Sequence, residues 1–249
     1  MNRQELIKKI TEKKEFSQLP QKDVEIIFNK FDKERYLDEE KIKLTRDLLR
    51  KVYSVFTSGK LLNKKILEKK NSEEILKKHF STRERFNFYP EVYERILSGI
   101  KGKKISVIDL GSGINGLSLD FFPKNFQISY TAVEAVGQLV ELMNFYFRRE
   151  KIKNADAIQE SLYDVEEIKK VILKTGKPRI VLLLKVLDSL EMVERNYSKK
   201  FLTEIVPLSE RVAVSFATRS LISGKKFEIK RYWFENFAKE NFKILDTFE

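Results

Sequence analysis

Two carboxylates and a run of glycines carry the most legible chemistry in this chain. The stretch Val107-Ile-Asp109-Leu-Gly111-Ser-Gly113-Ile-Asn-Gly116 belongs to an apolar β-branched run, 105–110, that reads as a buried strand breaking into a loop. Gly111 and Gly113 let the backbone turn sharply and approach a ligand where a Cβ would clash. A second acid, Glu134, ends the next strand-like run, Ser129-Tyr-Thr-Ala-Val-Glu134, and is placed to take two ribose hydroxyls. The spacing Gly111-x-Gly113-x-x-Gly116 also satisfies the dinucleotide pattern, so the loop by itself leaves a nicotinamide cofactor open. Asp109 sets negative charge two residues before the first glycine. That favours a cationic sulfonium with its α-amino group, as in S-adenosylmethionine, over a pyrophosphate. A strand–turn–helix kept for packing alone has no need of two placed carboxylates.

The elements that position these residues alternate from Lys101 onward. Strands read at 105–110, 128–134, 155–159, 178–186 and 211–217, with a last one at 242–248. Helices read at 116–121, 135–150, 163–174, 188–202 and 227–240. Fully apolar runs such as Ile180-Val-Leu-Leu-Leu184 predict a parallel sheet covered on both faces. The ligand then belongs at the carboxyl ends of the strands, beside the first one. Tyr232, Trp233 and Phe234 read as helix core, with one exposed ring able to stack on a base.

Residues 1–75 read differently. Apolar residues recur at helical spacing: Leu6, Ile7 and Ile10; Val24, Ile27, Phe28 and Phe31; Leu44, Leu48, Leu49 and Val52. This predicts a small helical domain with Asp23 and Thr45 as N-terminal caps. Residues 41–70 hold ten Lys or Arg against two acids, Asp47 and Glu68, with Tyr53 and Phe56 among them. Lys43, Arg46, Arg50 and Lys51 on one helix would make a basic face able to contact phosphates, extended by Lys64 and Lys65. A solvated lysine face is the competing reading. The division predicted is a basic helical domain, 1–75, and an α/β domain, 76–249. If the first anchors RNA independently, its deletion abolishes RNA binding and leaves cofactor affinity nearly intact.

Composition narrows the partners. The 249 residues carry a formal net charge of +12, which points to a polyanion, although a general lysine bias would give the same total. With no cysteine and one histidine, disulfides, thiolate metal sites and a histidine-based metal site are not expected. No apolar run approaches the ~18 residues needed to span a bilayer, and the start lacks a signal-peptide core. The expectation is a cytoplasmic, monomeric protein without membrane or metal.

Three further segments resemble one family. His79-Phe-Ser81-Thr-Arg-Glu-Arg85 is similar to the His-x-Ser-Thr-x-Glu-Arg motif of the aminoglycoside-resistance 16S rRNA methyltransferases. Leu183-Leu-Lys185-Val-Leu-Asp-Ser-Leu-Glu191 resembles that family's Leu-Lys-x-Leu-x-x-Leu-Glu after the fourth strand. Val214-Ser-Phe-Ala217-Thr-Arg219-Ser220-Leu221 resembles its Ser-Phe-Pro-Thr-Arg-Ser-Leu, with Ala217 in place of proline. The resemblance implies a class I S-adenosylmethionine-dependent methyltransferase, Rossmann-like with a mostly parallel sheet, behind an N-terminal helical domain. It implies methylation of the 7-position nitrogen of a decoding-site guanine in 16S rRNA of the small ribosomal subunit.

It also implies roles. Asp109, Gly111 and Gly113 line the methionine end of the cofactor, Glu134 holds the ribose, and Glu160 lies near the adenine. Arg85 pairs with the cofactor carboxylate through its two-pronged guanidinium. His79 and Ser81 belong to a cofactor-binding segment packed over the cofactor, where His79 has a structural or orienting role rather than a catalytic one. Lys185 is either a strand-end residue snorkelling to solvent or, with Arg219, a catalytic residue contacting the target nucleotide, and Ser220 meets RNA. The segment Ile222-Ser-Gly-Lys-Lys-Phe-Glu228 departs from the family's glycine-rich turn. The family's final antiparallel strand has no counterpart after Phe248, so either the chain is truncated or a sheet edge stays unpaired. The alternatives carried are a methyltransferase for another rRNA or tRNA base, and an RNA-binding module with a vestigial cofactor pocket.

Overall fold

The computed structural model describes residues 1–53, 71–217 and 231–248, with Phe80 and Ser81 as backbone alone. Five strands form one sheet: β1 Lys104–Leu110, β2 Gln127–Glu134, β3 Ala155–Gln159, β4 Arg179–Leu184 and β5 Arg211–Ser215. Their order is β3–β2–β1–β4–β5, and every pairing is parallel. Every residue from Ile105 to Leu110 is buried, as a central strand covered on both faces requires. The chain runs outward from β1 to β2 and β3, then returns to place β4 on the other side. That reversal opens a crevice at the carboxyl ends of β1 and β4.

The expected strands form, with shorter ends. The run 178–186 stops at Leu184 because Lys185 turns into the left-handed region at φ 64°. The run 211–217 stops at Ser215. The expected strand at 242–248 does not form. Asp246 instead takes two hydrogen bonds from the Arg95 guanidinium, at 3.0 and 2.9 Å, and the Phe248 ring lies 3.9 Å from the same group. The tail thus docks on helix Tyr89–Leu97, and β5 has no outer partner among the described residues.

The expected helix at 188–202 is two, Leu187–Val193 and Tyr197–Ile205. Glu191 breaks it: its carboxylate accepts the Asn196 and Ser198 amides, at 2.7 and 2.8 Å, and so satisfies donors of the second helix. The motif's glutamate is therefore a structural cap. In helix Tyr232–Asn241, Phe234 packs against Phe216 with ring centroids 5.0 Å apart, whereas Tyr232 is exposed rather than core.

The N-terminal part has helices Arg3–Thr11, Gln21–Phe31 and Asp38–Tyr53. Neither expected cap acts as one. Pro20 precedes the second helix, and Asp23 lies inside it, buried. Thr45 is buried in the third helix and donates back to the Lys41 carbonyl at 2.7 Å. The real cap is Asn2, which exchanges hydrogen bonds with Glu5. Val24, Ile27, Phe28, Leu49 and Val52 join one continuous core with the sheet. The expected boundary after residue 75 falls inside helix Ser72–Lys78.

Candidate active site

At the carboxyl end of β1 the chain passes through two left-handed glycines, Gly111 at φ 70° and Gly113 at φ 58°. A Cβ on Gly111 would stand 2.6 Å from the Val186 side chain, so this glycine is required by the loop after β4. Gly116 plays a packing role. Its Cβ would meet the Phe147 ring at 2.8 Å on helix Gly137–Arg149.

Asp109 is buried beneath this loop. Its Oδ2 accepts from the Asn115 amide at 2.7 Å and the Tyr130 hydroxyl at 2.5 Å, while Oδ1 is buried with no partner. Burial pushes its carboxyl above the usual range, against the two hydrogen bonds and the nearby charge of Arg85. Asn115 is the hub. It donates to Asp109 and to Tyr93 (3.1 Å), and accepts from Tyr89 (2.7 Å) and Arg85 (3.4 Å). The Arg85 guanidinium keeps two further nitrogens, Nε and Nη1, buried and unpartnered.

Glu134, at the end of β2, is also buried. One carboxylate oxygen accepts the Gly113 amide at 2.8 Å and the other accepts the Val136 amide at 2.9 Å. Burial raises its pKa, and these backbone donors work against the rise. Each oxygen retains lone pairs for a second donor such as a hydroxyl. Glu160, half-buried after β3, sends its backbone N–H to the Glu134 carbonyl at 3.3 Å. Its carboxyl is raised by burial and by Glu167 and Asp164.

His79 is fully buried at the joint between helices Ser72–Lys78 and Phe80–Arg83. Burial, then the charge of Arg85, lowers its pKa from 6.5 to about 4, so it is neutral at physiological pH. Lys185 emerges from β4 and forms an ion pair with Glu84, its own side chain almost wholly covered. Burial lowers its pKa, with Glu84 opposing. A non-glycine residue held left-handed beside a ligand crevice is a costly conformation that surrounding contacts must enforce. Here the Lys185 amide donates to the Ser215 carbonyl at 2.9 Å.

The basic helix is only partly a free face. Arg46 bonds the Lys9 carbonyl, and Arg50 reaches Glu15 at 2.9 and 3.0 Å and Asp47 at 3.0 Å. Lys43 and Lys51 are exposed. The side chain of Ser81, and Phe56, Lys64, Lys65, Arg219 and Ser220 altogether, lie outside the described residues.

Sequence reasoning missed Asn115, Tyr89, Tyr93, Tyr130 and Glu84. Asn115 was visible as a polar residue inside the glycine loop, and Tyr130 shares the buried parity of Ile128 and Ala132 in β2. Glu84 stands in the quoted motif, but its partner is 101 residues away.

The arrangement presents complementary unmet charges. A buried carboxylate oxygen on Asp109 and two buried guanidinium nitrogens on Arg85 fit the ammonium and carboxylate of an amino acid. Glu134 stands one strand further out for a ribose. The residues present therefore fit S-adenosylmethionine, and fold and site define the class of S-adenosylmethionine-dependent methyltransferases on a Rossmann-like sheet.

The comparisons narrow the class. The family model described as "Ribosomal RNA methyltransferase (FmrO)" matches residues 48–243. Three solved structures are similar in fold. The 16S rRNA methylase RmtB superposes with TM-score 0.73 at 20% identity, over 95% of this chain and 89% of that one. The 16S rRNA methyltransferase RmtF in complex with S-adenosyl-L-homocysteine gives 0.69 at 18% identity, over 98% and 91%. The 16S rRNA methylase ArmA gives 0.55 at 27% identity, over 75% and 89%. No curated protein matches the sequence. The chain belongs to the FmrO family of ribosomal RNA methyltransferases.

Proposed function

We propose that this enzyme methylates the 7-position nitrogen of a guanine in the decoding site of 16S rRNA, acting as a cytoplasmic monomer on the small ribosomal subunit. The 16S substrate is that of the structural relatives, which are 16S rRNA methylases. The observation that carries the choice of atom is the state of the titratable groups at the crevice. His79 is buried with its pKa lowered to about 4, a weak base shut off from solvent, and Lys185 is engaged by Glu84. Neither is placed to take a proton from a base.

The 7-position nitrogen of guanine asks for none. It has an in-plane lone pair and no proton, so it attacks a methyl group directly and becomes positively charged. S-adenosylmethionine, when bound, supplies that methyl group on a cationic sulfur, which keeps the electron pair of the broken bond. The chain contributes placement. Arg85 and Asp109 hold the amino-acid end, Gly111 and Gly113 admit it, and Glu134 takes the ribose. Lys185, held by Glu84 and its left-handed backbone, orients the target nucleotide together with Arg219. Ser220 and the basic residues Lys43, Arg46, Arg50, Lys51, Lys64 and Lys65 contact RNA, while His79 and Ser81 belong to the segment over the cofactor.

The test is to incubate the enzyme and labelled S-adenosylmethionine with small subunits, naked 16S transcript and tRNA, then map the label. Label on the 7-position nitrogen of a decoding-site guanine is expected, and label on another base or on tRNA overturns the reading.

A further inference from the structure

The three groups proposed to hold the cofactor step outward across the sheet. Asp109 with Arg85 stands at β1, and Glu134 at β2. The base of a bound nucleoside therefore falls at the end of β3, beside Glu160 and Ser161. That place is a groove of about 550 Å³, and one of its walls comes from the N-terminal part of the chain. Gln18, Leu19 and Lys22 face Gln159, Glu160 and Asp164 across it.

Polar groups tie the two walls together at the groove. The Gln18 carbonyl accepts the Gly137 amide at 3.1 Å, at the start of helix Gly137–Arg149, and also the Gln159 side-chain amide. It thereby satisfies a donor that the helix cannot satisfy itself. Gln138 donates to the Lys14 carbonyl at 3.1 Å, and Lys22 pairs with Asp164 at 2.9 Å. A Cβ on Gly137 would stand 2.9 Å from the Gln18 side chain, so the segment sits close.

Behind this segment lies a buried acid that the methyl-transfer reading does not use. Asp23, 1% exposed, accepts the Tyr53 hydroxyl at 2.5 Å. Tyr53 closes the helix Asp38–Tyr53, which also carries Lys43 and Lys51. Its phenol is raised by burial first, then by Asp23 and Tyr163, and it feels the charge of Glu134. Asp23 is raised by burial, and Ser161 of the loop after β3 and Tyr53 oppose the rise. The basic helix is thus joined, through one buried pair, to helix Gln21–Phe31, whose Lys22 reaches Asp164 in the loop after β3.

We infer that the N-terminal helical module is a wall of the cofactor site: the segment 17–22 closes the groove over the adenine end, and the Asp23–Tyr53 pair links occupancy of that groove to the basic helix. The inference rests on the proposed cofactor site and revises the expectation of an independent RNA anchor. Deleting residues 1–75 would remove a wall of the groove and bare the core residues that Val24, Phe28 and Leu49 cover, so cofactor affinity falls with it.

The test uses the full chain. Amide hydrogen exchange is measured with and without S-adenosylhomocysteine, and titration calorimetry gives its Kd. Binding should slow exchange in 17–24 and at the end of helix Asp38–Tyr53, as well as in the loops at 109–116 and 134–137. Tyr53→Phe, which leaves Asp23 without its donor, should raise Kd at least about fivefold, the low end of ordinary coupling between sites. Gln159→Ala, a milder change at the same wall, should raise it in the same direction, and Glu34→Gln in the distant exposed turn should not. Slowed exchange confined to the catalytic loops, with Kd unchanged in Tyr53→Phe and Gln159→Ala, overturns the inference and leaves the proposed function standing. Failure of the unaltered chain to bind S-adenosylhomocysteine overturns both.

Discussion

The two ends of the proposed cofactor site are built on opposite principles. At the methionine end, Asp109 Oδ1 and Arg85 Nε and Nη1 are buried without partners. At the ribose end, both oxygens of Glu134 are already engaged by backbone amides. An unmet buried polar group destabilises the free protein and is relieved only when a ligand arrives. A satisfied one stabilises the fold whether or not a ligand is present. The first end should therefore dominate affinity for the cofactor, and the second should hold the loop that receives it.

Arg85→Ala gives the largest expected effect. Truncating one partner of a buried, hydrogen-bonded charge pair costs about 2–5 kcal/mol of binding, so calorimetry should show S-adenosylhomocysteine affinity down by ~30-fold or more. Arg85→Lys should recover little, because a point charge cannot reproduce the fork. If Arg85→Ala binds as tightly as the unaltered protein, the methionine end has been misplaced.

Glu134→Ala is next. Loss of hydrogen bonds to a charged acceptor costs about 1.5–3 kcal/mol of cofactor binding. It should lower Tm of the ligand-free protein more than Arg85→Ala does, because the Gly113 and Val136 amides lose their acceptor. Equal Tm losses in the two variants would erase the contrast between the ends.

His79 sharpens the contrast through pH. Its folded pKa of about 4 lies below the ordinary 6.5, so the stability it contributes as a neutral group is present above pH 6.5. That contribution is lost as pH falls from 6.5 towards 4. Denaturant midpoints should drop over this window, and His79→Asn should flatten the drop. The single-turnover methylation rate should stay flat between about pH 6.5 and 8.5, since no group with an ordinary pKa in that range is required. A sigmoidal rate profile that disappears in His79→Asn would mean that a base is used and that the target atom is a different one.

The smallest effect expected is on the basic helix. Lys43→Glu and Lys51→Glu should each weaken small-subunit binding and reduce the slope of log K against log salt by about one or more. Arg50→Ala should change that slope less, because Glu15 and Asp47 already offset its charge. A larger slope change for Arg50 would show that its ion pairs open on RNA.

The chain's local patterns determined the alternating strands and helices, the glycine loop and the two carboxylates, because each depends on side-chain periodicity or on a turn only a few residues long. The resemblance of short segments to the 16S rRNA methyltransferases marked His79, Arg85 and Lys185 as positions of interest. Patterns of this range could not show that 242–248 would follow Asp246 to Arg95 instead of pairing with β5, since that choice is made by a guanidinium about 150 residues away. Nor could they show that Asp23 and Thr45 lie buried in helices, because an N-cap and an interior position look alike when only the neighbouring residues are read. The tertiary structure alone decided that Glu84 meets Lys185 and that Asn115 bridges Arg85 to Asp109. It also decided that Gln18 lines a groove at the far end of the sheet. These contacts depend on burial, which sets how strongly a charge must be matched, and burial belongs to the packed chain rather than to any segment of it.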